Sequence, residues 1–178
     1  MAHALTAVRL GLVLPIAWAF AQPALLAPHI LFALVCLGIA TDYADGKVAR
    51  MTGTSSPHGQ LFDHATDFVF VTTGLAGAAV AGHVTLILPP LIVVAFGQYV
   101  LDSYYLYRQK QLRMSAIGRW NGVLYFVPLV LVSASGLGIL EGVAAILILT
   151  ARIGSYVLSV ATVVSVIDRA SAPLRRRR

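Results

Sequence analysis

Acidic side chains are scarce in this chain: Asp and Glu together number seven in 178 residues, against 13 Lys plus Arg, for a net charge of +6. Charged residues of both signs make up 11% of the sequence, less than half the roughly 25% of an average soluble domain. With 58% hydrophobic residues and a mean hydropathy of +0.83, a water-soluble fold could not hide its apolar surface, so the expected solvent is lipid. Cysteine is nearly absent. The single Cys36 excludes an intramolecular disulfide and reads as a lipid- or core-facing packing residue. No basic folded surface is expected, which argues against a nucleic-acid partner. The Arg run 175–178 reads instead as part of a solvated tail, 170–178, that sets topology or touches anionic lipid.

What the chain has in abundance is long, unalternating apolar runs rich in Ala and Leu, which exclude strands. They predict an all-α polytopic membrane protein, one domain over 1–178. Six transmembrane helices are expected at about 4–21, 29–50, 59–81, 84–107, 117–137 and 140–167, each near the ~20 residues that cross a bilayer. Pro15 should kink or begin the first, and Pro89-Pro90 lie near the start of the fourth. Gly74-x-x-Gly77 and the stretch from Gly118 to Gly122 would allow close helix approach. Ala19-Phe20-Ala21 resembles a signal-peptidase site, but the basic n-region is nearly missing, so the first helix is expected to be retained. Lys and Arg concentrate near 47–50, 108–119 and 169–178. The positive-inside rule then puts both termini on the cytosolic side of a cell (inner or plasma) membrane.

Four of the seven carboxylates fall within 26 residues, as Asp42-x-x-Asp45-Gly46-x-x-Ala49-Arg50, eight further residues, and Gly59-x-x-x-Asp63-x-x-x-Asp67. On a helix Asp42, Asp45 and Ala49 share one face with Gly46, and Gly59, Asp63 and Asp67 share one face of the next helix. Opposed, these faces would gather four carboxylates in a cytosol-facing pocket. Such a cluster is costly in an apolar protein unless cations neutralise it. Oxygen-only donors suit Mg²⁺ or Mn²⁺ over zinc, and four carboxylates suffice for two divalent ions. Gly46 and Gly59 leave room beside the carboxylates, at roughly 1 kcal/mol each in helix stability. Arg50 is suited to a phosphate oxygen. A non-enzymatic cation-binding or transport protein is the alternative from another class.

This spacing, and a six-helix membrane fold that carries it on the second and third helices, resembles the CDP-alcohol phosphotransferase family. The resemblance implies that Asp42, Asp45, Asp63 and Asp67 hold two divalent metal ions and that Asp67 also deprotonates the acceptor hydroxyl. Gly46, Ala49, Arg50 and Gly59 would contact the CDP donor, with Ser56 in the following loop and Thr6 in the first helix as further contacts. An alcohol would attack the β-phosphorus of a CDP-alcohol, CDP-diacylglycerol above all, and CMP would leave. The reverse polarity, a soluble CDP-alcohol and a lipid acceptor, fits the same signature. A homodimer is implied as well.

The acceptor is less legible. Arg152, expected midway along the sixth helix and facing the bundle interior, is a candidate for an acceptor phosphate or for an ion pair with Asp102. Arg119 and Arg113 are further candidates. Leu5-Thr6-x-x-Arg9 and Ser115-Ala-Ile-Gly118-Arg119-Trp120 look like segments of phosphatidylglycerophosphate synthases. Phe68, however, stands where those enzymes and the inositol-phosphate enzymes place Lys or Arg, which counts against a phosphorylated acceptor. Glycerol 3-phosphate, inositol phosphate and serine all stay open. His64, one residue after Asp63, is expected to point away from the carboxylates. Deleting residues 175–178 should leave turnover in detergent almost unchanged; a large loss would show that the tail takes part in the reaction.

Overall fold

A computed structural model describes residues 2–52, 57–102, 116–138 and 142–175, with residues 2–5, 45–50, 52, 57, 58, 60, 116 and 172–175 described as helical backbone only. The described residues are helical throughout, with no strand. The helices are α1 (Ala2–Ala21), α2 (Pro28–Thr52), α3 (Pro57–Val80), α4 (Leu88–Leu101), α5 (Ala116–Leu124), α6 (Phe126–Ser135) and α7 (Val143–Arg175).

Prolines decide the local details. Pro15 is absorbed within an unbroken α1. Pro89-Pro90 fall at the first positions of α4, where a missing N–H costs nothing because the first-turn donors have no helical acceptor. The expected fifth helix is divided at Tyr125. Pro128 explains the break: it offers no N–H to Leu124, four residues back, and its ring crowds that carbonyl. The Tyr125 N–H still reaches the Asn121 carbonyl at 2.9 Å, so α5 and α6 run on as one bent rod.

The bundle is centred on α1 and α3, which pack against each other more extensively than any other pair, with α2, α4 and α6 around them and α7 against α4 and α6. Val13, Ile16 and Phe20 of α1 meet Phe70, Val71 and Leu75 of α3, with Val35, Leu88 and Leu129 closing the core. Glycine sets how close α1 and α3 come. A Cβ at Gly77 would collide with the Ala17 backbone carbonyl, and one at Gly74 would press on Leu129, as the small-residue spacing predicts. Gly122 does not act this way, since a Cβ there would meet nothing within 4 Å.

Large apolar side chains also cover the outside: Leu14, Trp18, Leu37, Ile153, Val157, Val160 and Ile167 are exposed, as is Cys36. Apolar surface on this scale suits lipid, not water. Two described spans are long and apolar enough to cross a membrane, Ile117–Ser135 with 19 residues and Val143–Ser171 with 29; Thr6–Ala21, Pro28–Ala44 and Leu88–Leu101 are shorter apolar helices. Several buried hydroxyls are satisfied locally or across helices. Tyr125 and Thr162 pair at 2.6 Å, and the Thr85 N–H donates to Ser155 Oγ at 3.0 Å, tying the α3–α4 connection to α7.

Gly77→Ala should force α1 from α3 and lower the thermal midpoint in detergent, with a cost of about 1–3 kcal/mol for overpacking. An unchanged midpoint would mean that the close approach does not limit packing.

Candidate active site

The polar centre of the bundle is Arg9. Its side chain is 0% exposed although it lies in the apolar helix α1. Burying a guanidinium this way is tolerable only when anions surround it. Three do. Arg9 Nη1 lies 3.5 Å from Asp42 Oδ1 on α2 and 3.4 Å from Asp63 Oδ1 on α3, and it donates to Asp67 Oδ1 in the closest of the three contacts. The two halves of the aspartate signature therefore converge, and a residue of a third helix joins them. The carboxylates are less enclosed than their partner, at 36%, 24% and 20% exposed for Asp42, Asp63 and Asp67. Their free edges stay available while the guanidinium does not.

Local helix geometry sets this arrangement. Thr41 Oγ1 accepts no role in the cluster; it donates to the Leu37 and Gly38 carbonyls at 2.9 Å each. Thr66 Oγ1 likewise donates to the Phe62 carbonyl at 2.9 Å. These hydroxyls, adjacent in sequence to Asp42 and Asp67, are absorbed by the backbone and leave the aspartates as the polar groups of the face.

Asp42, His64 and Asp67 line a cavity of about 510 Å³ between α2, α3, α4, α5 and α7. Its walls are mostly apolar and aromatic. Phe68 stacks on Phe96 with centroids 4.1 Å apart, and Phe96 leans on Tyr99 at 5.9 Å. Arg169 lies over the Tyr99 ring at 5.2 Å, and Arg169, Arg119 and the buried Asn121 add polar groups to the lining. The position following the last aspartate is thus an aromatic wall of the cavity.

His64 corrects an expectation. It does not point away: one ligand atom each from Asp63, His64 and Asp67 lie within 4.8 Å of one another, a group that could hold a metal ion. His64 and Asp67 are three residues apart, hence neighbours on the helix surface, and that spacing was the available signal. Arg152 is a second correction. It is exposed and donates to the Gly82 carbonyl, past the far end of α3 and about 20 Å along the helix from Asp67. Because α7 runs from Val143 to Arg175, Arg152 sits in its first third, near the opposite end of the bundle, and snorkels there. It neither joins Asp102 nor enters the cavity. Beside it, burial and the Arg152 charge lower the pKa of His83.

The other expected residues are placed as follows. Gly59 is half-buried in the first turn of α3, one turn before Asp63. Thr6 is buried one turn before Arg9 and is not part of the cavity lining. Arg119 is exposed and lines the cavity. Asp45, Gly46, Ala49 and Arg50 lie on the described backbone of α2, whose side chains there are outside the description; Ser56 and Arg113 lie outside the described residues. Arg9, His64 and Arg169 were not singled out as site residues from sequence. Arg9 was the most detectable, as a lone charge inside an apolar helix.

Chemically, the donors are hard carboxylate oxygens, the set that suits Mg²⁺ or Mn²⁺. Three carboxylates around one guanidinium leave net negative charge, which divalent cations would offset, so the residues present fit a metal site.

An all-helical apolar bundle with a partly enclosed carboxylate cluster beside a cavity suits a membrane protein that handles a charged group. The comparison with known proteins gives the family. A family model described as CDP-alcohol phosphatidyltransferase matches residues 1–167, and the chain belongs to this family of transferases. It is 36% identical over 99 residues to the "Uncharacterized CDP-alcohol phosphatidyltransferase class-I family protein 3" of Dictyostelium discoideum, over 52% of this chain and 24% of the relative. The chain thus spans about a quarter of that relative's length. No solved structure matches it at a comparable level.

Asp63→Ala should abolish Mn²⁺ binding and turnover while leaving a protein that elutes as an intact species in detergent. Turnover surviving this change would remove Asp63 from the metal set.

Proposed function

We propose that the protein transfers a phosphatidyl group from CDP-diacylglycerol to a small alcohol, releasing CMP, at the cytosolic face of a cell membrane. The observation that carries this reading is the convergence of Asp42, Asp63 and Asp67 from two helices beside a cavity large enough for an acceptor, in a chain of the CDP-alcohol phosphatidyltransferase family. The proposed topology has six membrane-crossing helices, α5 and α6 counting as one, and cytosolic termini. The acyl chains of the donor lie in the bilayer, and a homodimer is the proposed assembly.

Asp42, Asp45, Asp63 and Asp67 would hold two divalent ions, Mg²⁺ or Mn²⁺. When bound, these ions neutralise the pyrophosphate and the charge that develops on the departing CMP. Gly46, Ala49 and Gly59 keep the space beside the carboxylates clear for the cytidine diphosphate, and Arg50 and Ser56 bind its oxygens. Asp67 takes the proton of the acceptor hydroxyl as that oxygen attacks the β-phosphorus. The bond from this phosphorus to the bridging oxygen breaks, and CMP leaves with the electron pair. The acceptor enters the cavity between Asp67 and Arg119. Phe68 and Phe96 present it with an apolar wall next to the reacting oxygen, which supports an acceptor whose nearest neighbour to the hydroxyl is not a phosphate.

Purified protein with radiolabelled CDP-diacylglycerol, Mg²⁺ or Mn²⁺ and a panel of alcohols should release CMP with one of them. Asp67→Asn should lower that release by about 100-fold or more, the scale of a lost general base. CMP release with soluble CDP-alcohols alone would reverse the polarity of donor and acceptor. No release from any CDP-alcohol would refute the reading.

A further inference from the structure

Arg9 is not part of the aspartate signature, yet it is the largest fully buried side chain among the described residues and touches the carboxylates of Asp42, Asp63 and Asp67 at once. We propose that Arg9 is a built-in competitor of the divalent ions: its guanidinium holds carboxylate oxygens that the ions require, and metal loading proceeds by exchange of Arg9 for metal at Asp63 and Asp67. The inference rests on reading these aspartates as metal ligands.

Three observations support the exchange. The contacts of Nη1 are made with one Oδ1 of each aspartate, so the guanidinium and an incoming cation address the same small set of oxygens. The helix that carries Arg9 cannot retreat, because α1 is seated on α3 through the Gly77–Ala17 contact; the exchange is therefore a side-chain movement. Finally, the carboxylates without a cation among them would repel one another in a site partly closed to water. Arg9 removes that repulsion and keeps the two helix faces opposed before metal arrives. The consequence is a site held in shape at the cost of metal affinity. Arg9 acts through the aspartates and is a positioning residue.

The test is Mn²⁺ binding by the full chain in detergent micelles, read from loss of the free Mn²⁺ signal in electron paramagnetic resonance, with no nucleotide present. Arg9→Met should bind Mn²⁺ about tenfold more tightly than wild type, the scale on which one neighbouring opposite charge biases a carboxylate. Its thermal midpoint without metal should fall and recover on adding Mn²⁺. Arg9→Lys, which keeps one charge but lacks the planar fork, should bind Mn²⁺ with intermediate affinity. A folded Arg9→Met with unchanged or weaker Mn²⁺ binding would overturn the exchange and leave the proposed reaction standing. If Arg9→Met does not fold, Arg9→Lys decides: tighter binding than wild type supports the exchange, and equal or weaker binding overturns it. Wild-type protein that binds no Mn²⁺ would overturn both the exchange and the metal assignment.

Discussion

A single buried guanidinium organises this bundle. Arg9 projects from α1 into the space between α2 and α3, and carboxylates from both helices close around it. An isolated charge in such a place would be severely destabilising, and removing one partner of a buried ionic pair typically costs about 3–5 kcal/mol. The cluster therefore constrains three helices together. Asp42 and Asp63 cannot move away without stripping the buried guanidinium of its counter-ions, and α1 cannot leave without removing the cation between the aspartates. The close approach of α1 and α3 at Gly77, nearly three turns beyond Asp67 in α3, fixes the same helices at a second point. Between these two contacts the geometry of the site is set.

The cavity follows from this constraint. With α1 holding the closed side of the carboxylates, their open edges face a chamber bounded by α4, α5 and α7. Asp42 and Asp67 give that chamber its carboxylates, and its walls are largely aromatic, with Phe68 stacked on Phe96 and Arg169 covering Tyr99. Such a division suits group transfer. In the proposed reaction the aspartates would hold the charged partners, and the walls would sort the acceptor by shape and by a few polar groups. The break at Tyr125, imposed by Pro128, lets α5 carry Arg119 and Asn121 to the chamber while α6 packs on the core.

How much of this could be read from the amino acids depends on the range of the interaction. The spacing of Asp42, Asp63 and Asp67 is local, so placing Asp63 and Asp67 on one helix face needed only the helical repeat. Their convergence followed from the short connection between two amphipathic faces. The small residues at Gly74 and Gly77 were legible for the same reason. His64 was misjudged because the residue after Asp63 was assigned to the opposite side, whereas its distance to Asp67 makes the two neighbours. Arg152 was expected in the bundle interior, and Arg169 was not singled out. Both are on α7, and which of them reaches the chamber depends on the register of α7 against α3 and α4. That register is fixed by tertiary packing, including the Ser155–Thr85 bond, and no local pattern encodes it. Arg9 lay between these cases: its position in an apolar helix announced a partner, but not that the partners were the signature aspartates.

The central claim is that the aspartates gathered by Arg9 form the metal centre of a CDP-alcohol phosphatidyltransferase. Anomalous scattering from crystals of the full chain soaked in Mn²⁺ and CDP-diacylglycerol tests it most directly. The account predicts Mn²⁺ peaks among Asp42, Asp45, Asp63 and Asp67, with the cytidine diphosphate alongside. Mn²⁺ and nucleotide bound together elsewhere in the bundle, with Arg9 still enclosed by the three carboxylates, would contradict it.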